Sequence, residues 1–243
     1  MPAAALMIEY DQLTKSNHLT TSAQHKAHEL LGFRIETDRE MGHSAALARA
    51  LARSLTRAIL GHRIRALHPT LISDPTAIWD YGYRDIHSIR IGQKVSVGPY
   101  AEIVIYRTSP YSSVEGSLTL EDGSVIGAGA NIRAAGGAIR IGAGSAVTQN
   151  CVVVAANHKV IAGVARLHNP WDEERCGIDI GANVWIGANS VVLPGASIGD
   201  NAIIAAGSVV RGVVPPGELW GGVPARRIRD LGEGAAASAD APA

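Results

Sequence analysis

The residues best suited to acid–base chemistry lie in one stretch between positions 157 and 176 of the chain. Asn157 and His158 stand at its start, and His168 follows ten residues later. Further polar and aromatic side chains complete the stretch: Trp171, Asp172, Glu173, Glu174 and Arg175. An imidazole exchanges a proton near neutral pH, so a loop histidine is a candidate general base. The alternative is a surface histidine without a chemical role, and the spacing alone leaves both interpretations open.

The same stretch offers ligands for a metal ion. His158 and His168 carry imidazoles, and Cys176 is one further candidate. Ten residues across a loop is not a usual spacing for two ligands of one metal. We therefore predict no metal site.

These residues interrupt a regular repeat of six. Large aliphatic residues recur six apart, and the fourth residue after each is small or β-branched. The aliphatic positions are Ile91, Val97, Ile103, Leu120, Ile126, Ile132, Ile141, Val147, Val153, Ile180, Ile186, Val192, Ile198, Ile204 and Val210. A helix repeats its apolar residues about every 3.6 positions and a strand about every 2. A period of six with recurring glycines is typical of a parallel β-helix, with three hexads to each triangular coil. The predicted coils are 91–108, 120–137, 141–158, 180–197 and 198–215.

The repeat is broken at three places, and these breaks predict where a site lies. One follows Ile103, since the next coil starts only at Leu120. A second adds about three residues around 133–138, and the longest runs from about 159 to 178. All three follow the third hexad of a coil, so they leave the prism at the same corner. We expect them to form a cleft there, with His158 at its mouth.

Composition limits the class of protein. The chain has 243 residues, 47% of them hydrophobic and 18% charged, with zero formal net charge. This balance suits one folded domain with extensions and gives no sign of a nucleic-acid partner. Cys151 and Cys176 do not make a disulfide framework, which favours free thiols in a reducing cytoplasm. The sequence has no apolar run of about 18 residues and no signal-peptide pattern, so we predict a cytoplasmic protein without a membrane span.

The sequence divides into four segments. We predict a partly helical extension over 1–70, a β-helix over 71–215, a C-terminal segment over 216–231 and a disordered tail over 232–243. The extension holds two predicted helices, 22–31 and 44–67. The second has an apolar stripe, a basic stripe and no acidic residue: Leu47, Leu51, Leu55 and Ile59, with Arg49, Arg53 and Arg57. It could bind an anionic membrane surface or a lipid-linked substrate, but packing on the β-helix or a neighbouring subunit is favoured.

The last coils also resemble a known family. Residues 180–202 read I-G-A-N-V-W-I-G-A-N-S-V-V-L-P-G-A-S-I-G-D-N-A, and A-G-S-V-V follows at 206–210. V-P-P-G at 214–217 and G-V-P-A-R-R-I-R at 222–229 complete the pattern. This resembles the hexapeptide-repeat acyltransferases, most of all the maltose and galactoside O-acetyltransferases and the acetyltransferases of polysaccharide assembly. The resemblance implies an all-β, left-handed parallel β-helix and a homotrimer with acetyl-CoA sites between subunits.

The resemblance also implies roles for single residues. The family's catalytic histidine precedes the long loop, which is the position of His158. Residues of the pantetheine groove would be Trp185, Ala188 and Ala206, and phosphate contacts would be Arg211, Arg226 and Arg229. The family often has a lysine at the position of Gly212, so that contact is missing here. The acceptor side is predicted to include Asn157, Arg133, Trp171 and Asp172. About ninety residues precede the first hexad, and they do not align with the helical cap of the sugar acetyltransferases.

The expected activity is acetyl transfer from acetyl-CoA to a hydroxyl of a sugar or polysaccharide precursor, with His158 as general base and no metal. One alternative is N-acetylation of an amino sugar or an antibiotic amine. Another is a γ-carbonic-anhydrase-like metal protein, which would need two closely spaced histidines on one coil that this chain lacks. A third is an assembly module without catalytic activity.

Overall fold

The computed structural model describes residues 43–81, 86–165 and 168–232. The predicted helix over 22–31 and all but the first residue of the predicted tail lie outside these ranges. The chain divides into two compact units, residues 1–51 and 52–243. A single α-helix in the described ranges, α1, spans His43–Leu67, close to the second predicted helix.

The unit from residue 52 onward is built from short strands in three sheets. Sheet I contains β1 (Ile72–Ser73), β4 (Ser96–Val97), β7 (Val125–Ile126), β10 (Ala146–Val147), β13 (Trp185–Ile186), β16 (Ile203–Ile204), β19 (Glu218–Gly222) and β20 (Ala225–Asp230). Sheet II contains β2 (Ile78–Asp80), β5 (Glu102–Tyr106), β8 (Asn131–Ala135), β11 (Val152–Val154), β14 (Val191–Val192) and β17 (Val209–Val210). Sheet III contains β3 (Ile89–Ile91), β6 (Ser117–Leu120), β9 (Ala138–Ile141), β12 (Ile178–Ile180), β15 (Ala196–Ile198) and β18 (Val213–Val214). A 3-10 helix, Ile86–Ser88, precedes β3.

Equivalent hexads stack on one another along the prism. Val147 pairs in parallel with Ile126 of the preceding coil and with Ile186 of the following one. The aliphatic hexad positions are buried, apart from Ile91, which is half-buried, and the small positions are buried beside them. The stacked rows form one hydrophobic core. The predicted fold, a left-handed parallel β-helix with a helical extension, is confirmed.

The coils begin earlier than the hexads read from Ile91. β1 and β2 form a partial coil that pairs in parallel with β4 and β5. The predicted β-helix range, 71–215, contains this coil, but the six-residue period does not show it, because Trp79, fully buried, occupies the position that an aliphatic residue fills elsewhere. Trp79 and Tyr81 thus close this end of the core.

Helix α1 packs on the core through a face that was not predicted. Leu60 and Ile64 are buried in the core cluster, and the Tyr81 hydroxyl donates to the Leu60 carbonyl at 3.1 Å. Leu55 and Ile59, which belong to the predicted stripe, remain exposed. Leu60 and Leu55 differ by five positions, about 500° around a helix, so they point in widely different directions. The stripe read from the sequence is therefore not the packing face.

The glycine that follows an aliphatic residue has a packing reason. A Cβ at Gly187 would lie 2.5 Å from the backbone nitrogen of Ala206, and one at Gly199 would lie 2.5 Å from that of Pro216. Real Cβ atoms do not approach backbone so closely. Glycine at these positions lets consecutive coils stack at β-sheet spacing.

Core truncation should be far more damaging than truncation of an outward residue of the same coils. Ile186→Ala is expected to lower the free energy of unfolding by about 2–5 kcal/mol, because it leaves a cavity in the stack. The control is Val213→Ala, whose side chain is 68% exposed, with an expected change of about 0.5 kcal/mol or less. Denaturant unfolding at one protein concentration measures both. Equal destabilisation would contradict the assignment of Ile186 to the core.

Candidate active site

The three insertions leave the prism between sheets II and III, as predicted. Residues 107–116, the first insertion, join β5 to β6, and residues 155–177, the long insertion, join β11 to β12. Gly136 and Gly137 separate β8 from β9. The insertions therefore start from the same corner in successive coils.

The long insertion folds back on itself around His158. The Lys159 amide donates to the Pro170 carbonyl, and the Asp172 amide to the Asn157 carbonyl, both at 2.8 Å. His158 and Trp171 lie opposite each other in this short antiparallel bridge. The buried Asn169 side chain donates to the Lys159 carbonyl at 2.7 Å. These bonds fix the backbone on both sides of the imidazole.

The contacts of the imidazole determine where its proton sits. His158 Nδ1 lies 2.6 Å from the carbonyl oxygen of Asn169, which can only accept, so Nδ1 carries the proton. The indole Nε1–H of Trp171, a donor only, lies 3.1 Å from His158 Nε2, so Nε2 is the acceptor. A doubly protonated ring could not make both contacts. The two contacts therefore select the tautomer that has the proton on Nδ1 and the lone pair on Nε2.

The first insertion completes an aromatic cluster around this ring. The Trp171 amide donates to the Tyr111 carbonyl at 2.8 Å. The rings of Tyr111 and Trp171 stack at 6.1 Å with an interplanar angle of 24°, and Tyr111 meets His158 edge-on at 5.3 Å. Sequence reasoning missed Tyr111 and Asn169. The only available signal was their position in the insertions, because neither takes part in the six-residue period.

A cleft of about 750 Å³ opens beside His158. It brings together four of the predicted site residues: Asn157, His158, Asp172 and Arg211. Leu193 and Pro194, at the same corner of the next coil, form part of its wall and were not predicted. The cleft thus combines an imidazole with apolar side chains and charged groups.

Part of the repeat matches a known protein family. Residues 177–212 match the family described as Bacterial transferase hexapeptide (six repeats). The match covers 36 of the 243 residues. The resemblance to hexapeptide-repeat acyltransferases predicted from the sequence is confirmed.

The curated relatives match a short span of this chain. Galactoside O-acetyltransferase from Escherichia coli K12 is 50% identical over 56 residues, which is 23% of this chain and 28% of that protein. The putative lipopolysaccharide biosynthesis O-acetyl transferase WbbJ of the same organism is 45% identical over 56 residues, 23% of this chain and 29% of the relative. The chain therefore spans under a third of the length of these relatives.

A solved structure shows the same fold. AntD, an N-acyltransferase from Bacillus cereus in complex with dTDP and 3-hydroxybutyryl-CoA, superimposes with a TM-score of 0.55. The match covers 70% of this chain and 87% of AntD at 18% identity. At this identity the likeness establishes the fold alone.

The other residues predicted to bind the acetyl donor do not line the His158 cleft. Trp185 is 54% exposed on sheet I, and Ala188 and Ala206 lie in successive turns between sheets I and II. Arg226 and Arg229 belong to β20, which pairs antiparallel with β19 in sheet I. Apart from Arg211, the residues predicted to bind the acetyl donor therefore lie outside the His158 cleft.

Arg133 is separated from the cleft as well. It lies on β8, is exposed, and places its guanidinium 3.6 Å from the Glu102 carboxylate. Its exposed ion pair is worth at most about 1 kcal/mol. Of the four residues predicted for the acceptor side, Asn157, Trp171 and Asp172 cluster around His158, and Arg133 does not line that cleft.

The arginines of β20 differ in their partners. Arg227 pairs with Glu218 at 3.0 Å and with Asp230, and these carboxylates raise its pKa, Asp230 most strongly. Arg226 and Arg229 each donate to a backbone carbonyl, of Ala225 and Asp230. Within the part of the chain that is described, neither forms an ion pair. Their guanidiniums thus keep donors for an anionic ligand.

Other candidates from the sequence have structural settings. Cys151 is buried between coils, which raises the pKa of its thiol, and its sulfur lies 3.2 Å from the Gly187 carbonyl. Within residues 43–81, 86–165 and 168–232, no cluster of three or more His, Cys, Asp and Glu side chains could hold a metal ion. Over the same ranges, no helix is long and apolar enough to cross a membrane.

Proposed function

We propose that this protein is an acetyl-CoA-dependent O-acetyltransferase that acts on a hydroxyl of a sugar or polysaccharide precursor. The observation that carries the proposal is the contact geometry of His158, which lines the cleft: Nδ1 donates to the Asn169 carbonyl, so the lone pair is on Nε2. This tautomer provides the free lone pair that a general base requires. The matched curated relatives are O-acetyl transferases by name, which supports oxygen as the acceptor atom.

The proposed proton transfers involve His158 and the two groups that contact its ring nitrogens. The acceptor hydroxyl takes the place of the Trp171 indole N–H at Nε2, and His158 removes its proton as the oxygen attacks the thioester carbonyl. The Asn169 carbonyl then stabilises the imidazolium through the Nδ1–H bond. When the tetrahedral intermediate collapses, Nε2 returns the proton to the leaving thiolate of CoA. The products are the acetyl ester and free CoA, with His158 neutral again.

The donor-binding residues suggest a site shared between copies of the chain. Trp185, Ala188 and Ala206 offer an apolar strip, in which Trp185 and Ala206 are exposed and Ala188 is half-buried. Arg226 and Arg229 offer guanidiniums for phosphates. On one chain these groups do not line the His158 cleft. We propose that acetyl-CoA lies between the strip of one copy and His158 of the next. Arg211, which lines the cleft, would then meet the donor from the second copy.

We predict that the protein is a trimer with cyclic symmetry. The outward row of sheet I is mainly apolar and in register from coil to coil: Val125, Ala146, Trp185, Ile203 and Leu219. On sheet III, Arg140 pairs with Glu121 at 2.8 Å and with Asp179 at 2.9 Å, a pattern that suits solvent. Burying one flat apolar face per copy closes a ring. Light scattering at micromolar concentration should give three times the chain mass.

Matched variants test which face is buried. Val125→Glu places a charge on sheet I and should dissociate the trimer. Val213→Glu places the same charge on sheet III, where the side chain is 68% exposed, and should leave it intact. A wild-type monomer at micromolar concentration would contradict both the trimer and the shared site.

The activity is tested by a screen for release of the CoA thiol from acetyl-CoA. The acceptors are free sugars, sugar nucleotides and oligosaccharides, each compared with its amino-sugar counterpart. The proposal predicts turnover with hydroxyl acceptors and an ester product that mild base hydrolyses. Turnover with amines alone would establish the N-acetyltransferase alternative in its place.

A further inference from the structure

One carboxylate ties the tip of the first insertion to the long insertion. Glu173 Oε1 accepts hydrogen bonds from the Ser112 hydroxyl at 2.8 Å, the Ser113 amide at 2.7 Å and the Ser113 hydroxyl at 3.1 Å. Its Oε2 lies 3.2 Å from the same Ser113 hydroxyl. These bonds, that from Ser112 first, lower the pKa of Glu173, so the carboxylate stays ionised at neutral pH. We call this set of contacts the latch.

The latch lies next to residues that surround the reactive nitrogen. Ser112 follows Tyr111, whose carbonyl accepts from the Trp171 amide and whose ring meets His158. Glu173 is two residues after Trp171 in the long insertion. The base of the first insertion is closed separately, by the Gly116 amide on the Arg107 carbonyl at 3.0 Å. Loss of the latch would therefore free the tip that carries Tyr111 without opening the coil beneath it.

We propose that Glu173 is a positioning residue for acetyl transfer: through the latch, it holds Tyr111 in the aromatic cluster with Trp171 and His158 that borders the reactive nitrogen. This role rests on the proposed function. Glu173 makes none of the contacts that fix the imidazole itself. Those contacts come from the Asn169 carbonyl and from the antiparallel bridge between His158 and Trp171. Its removal should thus alter how the acceptor is placed and leave the donor site as it is.

The test compares Glu173→Ala with Glu115→Ala in the full-length protein. Glu115 is also a carboxylate of these two insertions, but its ion pair, at 3.1 Å, is with Arg107 at the base of the first insertion. We expect Glu173→Ala to lower kcat/KM for the acceptor by about 10- to 100-fold, as for a small misplacement of a reactant. The KM for acetyl-CoA should stay unchanged, and Glu173→Gln, which keeps one acceptor oxygen, should fall between. Glu115→Ala should match the wild type.

A second measurement tests the latch contacts independently of enzyme activity. Amide hydrogen exchange at Ser113 should accelerate in Glu173→Ala and not in Glu115→Ala, since the Ser113 N–H is bonded to the carboxylate. The double variant Ser112→Ala/Ser113→Ala should reproduce the kinetic loss, and adding it to Glu173→Ala should cost little more.

The outcomes separate the latch from the activity. Faster exchange with unchanged acceptor kinetics would overturn the positioning role and leave the acetyltransferase proposal standing. An equal loss for donor and acceptor would indicate general disruption and would overturn it too. If the wild type transfers no acetyl group to any acceptor, the proposed function fails and the positioning role fails with it, whereas the exchange experiment still reports whether Glu173 holds the first insertion.

Discussion

His158→Ala is expected to lower the kcat of acetyl transfer by about 10²- to 10⁴-fold, the usual contribution of a general base. Alanine removes the Nε2 lone pair, which is the proposed acceptor of the hydroxyl proton. The coils are untouched by the change, because the imidazole bonds only within the long insertion. The variant should therefore remain assembled and bind CoA with the affinity of the wild type. Steady-state kinetics and calorimetric titration with CoA measure the two properties.

The matched control is His168→Ala. His168 is the other histidine of the long insertion, but it is exposed and does not line the cleft. Its replacement should leave kcat within about two-fold of the wild type, in line with the small effect of most surface substitutions. A folded, active His158→Ala protein would show that the base lies elsewhere, and loss of activity in His168→Ala would point to it.

The coils could be predicted because their core has one requirement repeated many times. Each hexad buries one aliphatic side chain, so the period is visible even in strands of two residues such as Trp185–Ile186. The period is hidden where a different side chain meets the same requirement, as Trp79 does in the first coil, although that coil lies within the predicted range of 71–215. The prediction failed for α1, because this helix has apolar residues on two faces and its sequence does not tell which one meets the core. Leu60 and Ile64 pack, and Leu55 does not.

The corner of the candidate site could be predicted as well, since insertions in the same hexad must leave the same edge. The contacts within and between the insertions could not be predicted. The group that fixes the His158 tautomer is the backbone carbonyl of Asn169, which every residue possesses. Tyr111 reaches His158 from an insertion that begins about fifty residues earlier in the chain, through a contact without any periodic signal. Such contacts depend on how two loops pack together, which a single sequence does not encode in a readable pattern.

A variant of the proposed acetyl-CoA site should have a different kinetic effect from a variant of the general base. CoA carries negative charge on its pyrophosphate and 3′-phosphate, and the chain has no net charge, so the attraction must be local. Arg226 follows the last coil and keeps guanidinium donors that can match two phosphate oxygens. We expect Arg226→Ala to raise the KM for acetyl-CoA by about ten-fold, equivalent to about 1.4 kcal/mol, with little change in kcat. The lost contact is the same in the ground state and the transition state, so it affects binding alone.

The neighbouring Arg227 is the control for this prediction. It stands one residue away in the same strand, but Glu218 and Asp230 already neutralise it. Arg227→Ala should leave the KM for acetyl-CoA unchanged even though it removes the same charge. The Arg226 effect should shrink at high salt, because screening weakens an exposed phosphate contact. A pantetheine thioester without the phosphates should be used equally well by the wild type and by Arg226→Ala. If the variant is impaired with this truncated donor as well, Arg226 acts through the structure of the β19–β20 hairpin, and the phosphate assignment is wrong.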